Sequence, residues 1–260
     1  MPGAETANVW RLTAVGADGA RGGWVVALLY EAGAGVSFGP VQSRTELRLC
    51  AGFEELMACC AGASVPVAVD MPMGLPDEVG FRTCDLQARG LLGERRSTIF
   101  PPPSRGLLDA ADYTAARERI SRLRELEPQA KSLSAQAFAL APKIREADGW
   151  LRTHPDAQEW VYECHPELSF MQLAGGTALP QKRTAHGQAQ RLRLVLREFP
   201  DALDALASMV LPAGVAGLDD MLDAYAALCT ARRIGAGSHV TLGGSPEEPD
   251  ACGLVMRIVF

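Results

Sequence analysis

The sequence predicts an α/β protein: a mixed five-stranded sheet flanked by helices. Three observations carry this. Two glycine-bearing turns between apolar runs near the start indicate an antiparallel meander. A continuous apolar run after a short helix, Val65 to Asp70, indicates a buried strand joining that meander in parallel. Helical periodicity then dominates the second half of the chain.

Taken in order, residues 12–18 form a short apolar strand ending in Asp18. Asp18 to Gly23 is a turn rich in residues that tolerate positive φ. Trp24 to Tyr30 makes the second strand, Gly33-Ala34-Gly35 turns again, and Val36 to Val41 is the expected third strand. Phe53, Leu56, Met57 and Cys60 fall at i, i+3, i+4 and i+7, one face of a helix. The run ending in Asp70 follows, stopped at once by Pro72, Gly74 and Pro76. Residues 77–157 change character: Arg-rich, with Pro101-Pro102-Pro103 and helical patterns near 113–127 and 132–152. They are expected as a helical insertion, residues 1–260 forming one domain. Trp160 to Glu163 returns to the sheet. Helices are expected over about 167–174, 184–199 and 217–233, and an extra strand over Leu254 to Phe260.

Composition narrows the class. The chain has 260 residues, 48% apolar and 22% charged, enough for a large core. The net charge of −6 excludes a protein basic as a whole, though not a local basic groove. Of 25 basic residues only three are lysines, a bias with little functional content. Seven cysteines, an odd number, with no C-x-x-C spacing argue against a disulfide framework and a zinc site. The start lacks a basic segment followed by an apolar run, so no secretory signal and a cytoplasmic location are expected. No apolar stretch is long enough for a membrane span.

The chemistry lies in acids at strand ends. Three apolar runs each end in a carboxylate: Asp18, Asp70 and Glu163. In such sheets ligands sit beyond the carboxyl ends of parallel strands. Asp219, Asp220 and Asp223 add acids at helical spacing, and Ala224, Ala226 and Ala227 let that helix lie close to a sheet. Singly, each acid is as well read as a turn residue or helix cap. Together they repel, and a hard divalent cation, Mg²⁺ or Mn²⁺, is the usual remedy.

This element order with these acids is the pattern of the RNase H-like, or retroviral integrase-like, fold. The chain resembles the predicted RNase H-like nucleases of domain-of-unknown-function family 429. The resemblance rests on Gly16-Ala17-Asp18-Gly19 with Gly23-Trp24-Val25-Val26, and on Val69 to Pro76. It rests further on Arg82-Thr83-Cys84-Asp85 with Ala88-Arg89, Glu163 to Glu167, Lys182 with Gly187 and Arg191, and Asp219 to Ala224. It covers nearly the whole chain. It implies Asp18 and Asp70 as strand-borne metal ligands and Asp220 or Asp223 as the ligand from the last helix, with Glu163 at the fifth-strand position. It implies metal-dependent hydrolysis of a phosphodiester, in nucleic acid or nucleotide.

Arg89, Lys182 and Arg191 are expected to bind substrate phosphate, the alternative being solvated helix faces or local ion pairs. His165 is a candidate general base or substrate contact, against the commoner structural role of a lone histidine. Two other functions fit the same architecture. One is a phosphotransferase of the actin and sugar-kinase type, suggested by the Asp18–Gly23 hairpin but lacking a second Asp-Gly hairpin. The other is a non-catalytic protein that binds a small ligand.

Overall fold

The computed structural model describes residues 9–33, 42–60, 64–126, 133–244 and 248–260. The hairpin of β1 (Trp10–Ala20) and β2 (Gly23–Ala32) opens the chain, closed by Arg21 and Gly22. The expected strand Val36–Val41 lies outside the described residues. The third strand is β3 (Ser43–Cys50), antiparallel to β2. Its sequence alternates Arg44, Glu46 and Arg48 with Thr45, Leu47 and Leu49, the period of a half-buried edge strand. The second set turns inward, Leu47 and Leu49 packing on the core.

Helix α1 (Phe53–Ala58) leads to β4 (Val67–Asp70). The insertion follows: α2 (Thr83–Leu92), a 3₁₀ turn over Gly93–Thr98, α3 (Arg105–Leu108), α4 (Tyr113–Leu126), α5 (Ala135–Ala139) and α6 (Ala141–Thr153). The single helix expected over 132–152 is broken at Leu140. Pro142 has no amide hydrogen to donate and so sits in the first turn of a new helix. Strand β5 (Val161–Glu163) closes the sheet, and α7 (Pro166–Leu173), α8 (Ala185–Glu198), α9 (Ala202–Ser208) and α10 (Leu218–Gly235) follow.

The main sheet has the order β3-β2-β1-β4-β5. β1, β4 and β5 are parallel neighbours. The expected C-terminal strand is present as β7 (Arg257–Val259), but it pairs with β6 (Thr241–Gly243) in a separate two-stranded sheet. A single bridge, Cys164 to Val259, joins it to the end of β5.

Alternation along the strands divides the core in two. Val15, Ala17, Val67, Val69 and Val161 face α1 and α6 with Phe53 and Ile144. Ala14, Ala20, Ala68 and Cys164 face α10. That helix is buried continuously from Leu222 to Ala231. It lies unusually close to β1, because Gly16 has no side chain: a Cβ there would stand 2.0 Å from the Leu228 nitrogen. Among the described residues, no helix is long and apolar enough to cross a membrane.

Candidate functional site

The parallel ladder sets Asp18 beside Asp70, Cα partner to Cα partner, at the carboxyl ends of β1 and β4. Both belong to the strand positions that face α10, so the close approach at Gly16 brings Asp223 down onto them. Asp223 is 2% exposed and Asp18 is 7% exposed. A cleft of about 470 Å³ opens here, lined by Asp18, Asp70, Asp220, Asp223, Glu167 and Lys182 among others.

The electrostatics are those of crowded carboxylates. Burial, then the charges of Asp70 and Asp223, holds the Asp18 carboxyl well above its ordinary range. Burial pushes Asp70 up to about 6 against the opposing pull of Lys182. Asp223 is likewise raised to about 6, by burial first. Lys182 supplies the local positive charge, its Nζ donating to Asp223 Oδ2 at 2.6 Å. Burial works against that ammonium, but Asp223, Asp70 and Asp18 more than restore its charge.

Gly187 makes the position of Lys182 possible. A Cβ there would meet the Gln181 carbonyl oxygen at 2.0 Å, so only glycine lets the start of α8 close against the Lys182 loop. Arg191 fastens the same loop from beneath, donating to the Pro180 carbonyl at 2.8 Å.

The remaining expected residues are placed differently. Glu163 pairs in register with Val69, one step short of Asp70, so its side chain leaves the sheet on the opposite face. There it accepts two hydrogen bonds from Arg82, at 2.6 and 2.7 Å, and one from the Met73 amide. Arg82 is also held by Asp85. The carboxylate expected at the fifth-strand position is thus the centre of a buried ion-pair network, and that network lines the cleft as well. Burial raises Glu163 to about 7, with Arg82 opposing.

Asp220 lines the cleft but accepts from the Gly217 amide at 2.7 Å, the capping role at the start of α10. His165 caps α7 in the same way, Nδ1 accepting from the Glu167 amide at 3.3 Å. Burial lowers its basicity, which suits a neutral positioning group. Arg89 donates to the carbonyls of Arg96 and Ile99 at 2.7 and 2.6 Å and stacks on Phe81. Arg191 donates to both oxygens of Glu167 at 2.8 Å. Both guanidinium groups, expected to receive phosphate, are committed to protein acceptors, and neither lines the cleft.

Two further residues enter the site, Glu167 and Arg95, the latter from an arginine-rich segment that the sequence offers for phosphate. Glu167 is buried on the cleft wall, and its charge reaches both Asp70 and Asp223. Arg95, on the 3₁₀ turn, lines the cleft and bonds Glu167 at 3.1 Å. The Glu163-Cys164-His165-Pro166-Glu167 segment contained the signal. Its alternation gives Cys164 the position level with Asp70, and the proline turns Glu167 back toward the acids.

The donor chemistry fits a hard divalent cation: all oxygen, buried and mutually repelling. The set is not closed around one point. Among the described residues no three His, Cys, Asp or Glu side chains stand grouped as a ready ligand set. On Asp223 the Lys182 ammonium occupies the place of a cation.

No curated protein and no solved structure matches the chain. A family model described as "Protein of unknown function (DUF429)" matches residues 16–248, and the chain belongs to that family.

Proposed function

We propose that this protein is a metal-dependent phosphodiesterase of RNase H-like fold, working at the cleft above β1 and β4. The observation that carries the reading is the abreast pair Asp18 and Asp70, joined by Asp223 from α10. The element order and the parallel β1-β4-β5 core agree with that fold.

Asp18, Asp70 and Asp223 are the residues that would hold Mg²⁺ or Mn²⁺. Such an ion supplies a nucleophilic water at neutral pH and charge opposite a phosphoryl oxygen. The rest falls to the chain itself. Asp70, raised to about 6 by burial, gives up its proton near neutral pH, as holding a cation requires. Lys182 balances the acids and can turn from Asp223 to a substrate phosphate. Glu167, held by Arg191, keeps the cleft wall in place.

The deciding experiment is Mn²⁺ calorimetry on wild type and Asp18→Asn, followed by a Mn²⁺-dependent cleavage screen over DNA, RNA and nucleotide phosphodiesters. Binding and turnover that both collapse in the variant are expected. Absence of binding in the wild type would overturn the proposal. Binding with no turnover on any phosphodiester would leave a ligand-binding protein on this fold.

A further inference from the structure

Glu167 carries more positive charge around it than it needs. Arg191, 1% exposed, already donates to both its oxygens at 2.8 Å and neutralises it. Arg95 adds a third, longer bond at 3.1 Å. Glu167 is thus neutralised without it, and the Arg95 side chain, 20% exposed, keeps part of its surface toward the cleft. Arg95 lines the same cleft as the acids, together with Ser97, Thr98 and the exposed Arg183. The cleft thus carries Arg95 and Arg183 as well as the acids Asp18, Asp70 and Asp223.

Depth and size narrow the occupant. At about 470 Å³ the cleft lies within the ~300–1,000 Å³ range of small-molecule sites. Phe100, Gln136 and Leu140 from the insertion line it. A duplex carries its phosphates along the outside of a stiff rod. A cleft of this volume is small beside such a rod.

We propose that the site takes a compact phosphoester of mononucleotide size, its phosphate seated on Arg95, and not a nucleic-acid duplex. This rests on the phosphodiesterase reading for the chemistry, but the anion seat can be tested without it. The guanidinium offers a planar fork to phosphate oxygens. Ser97 and Arg183 line the same cleft.

The test is calorimetry with adenosine 5′-monophosphate in EDTA, on wild type, Asp18→Asn, Arg95→Gln and Arg183→Gln, each checked for folding by its melting temperature. Saturable binding to wild type and Asp18→Asn is expected. Arg95→Gln should weaken it by about tenfold or more, the scale of a charge-assisted bidentate contact. Arg183→Gln, at an exposed position, should weaken it by a smaller factor and keeps the test alive if Arg95→Gln does not fold. A 20-base-pair duplex should not displace the nucleotide. Undiminished binding by Arg95→Gln, displacement by duplex, or no binding to wild type each overturns the proposal. Absence of Mn²⁺ binding in the wild type, with its nucleotide binding intact, would sink the phosphodiesterase reading and leave the seat standing.

Discussion

Asp18 and Asp70 are Cα partners in the parallel ladder of β1 and β4, two acids side by side at the end of a buried sheet. Asp70 and Asp223 titrate near 6 in the folded chain, and Asp18 is raised as well. A carboxylate raised on folding makes the native state bind more protons than the unfolded one. Stability then falls as pH rises from the unfolded value near 4 through about 6.

In EDTA, the wild type should therefore melt lower at pH 7.5 than at pH 5. Asp18→Asn should flatten that slope and raise the melting temperature at pH 7.5, at about 2–4 °C per kcal/mol for a chain of this size. Saturating Mn²⁺ should reverse the slope, because the ion needs the acids deprotonated. A variant melting at or below the wild type at pH 7.5 would refute the repulsion.

Arg82 separates the ion-paired acids from those proposed to hold metal. It is 4% exposed and holds Glu163 and Asp85 together. Arg82→Ala leaves two buried carboxylates without their cation and should cost about 3–5 kcal/mol in urea denaturation. Glu163→Gln should act mainly on stability, leaving Mn²⁺ affinity within about twofold of wild type, a difference of about 0.4 kcal/mol. If Glu163→Gln abolishes Mn²⁺ binding while the fold holds, Glu163 belongs to the metal site after all.

Gly16 couples the fold to the site. An alanine Cβ would stand 2.4 Å from the Ala224 carbonyl oxygen, next to Asp223. Gly16→Ala should push α10 from the sheet and cost about 1–3 kcal/mol or more by overpacking. Because Asp223 moves with the helix, Mn²⁺ affinity should fall as well, in protein that is still folded at low temperature. Unchanged stability and affinity would mean that α10 yields without moving the acid.

Local sequence carried much of the architecture. Apolar runs stopped by Asp18 and Asp70 marked the strands, because a strand buried on both faces needs continuous apolar residues. The small face of α10 marked its close packing. The strand Ser43–Cys50 was not anticipated, although Arg44 to Leu49 alternates cleanly. The extra C-terminal strand was legible, but its partner β6 was not, because pairing between short strands is decided by distant chain segments.

What the sequence by itself determined is which residues are acidic, where strands stop, and hence that Asp18 and Asp70 share a sheet edge. Only the tertiary structure decided how each charge is used. A one-residue difference in register sent Glu163 to the far face, where Arg82 met it. Arg89 and Arg191 went to carbonyls and to Glu167, and Arg95 was left lining the cleft. The physical reason is that charges pair across long sequence separations. Arg82 and Glu163 stand 81 residues apart along the chain, and packing alone sets their 2.6 Å contact.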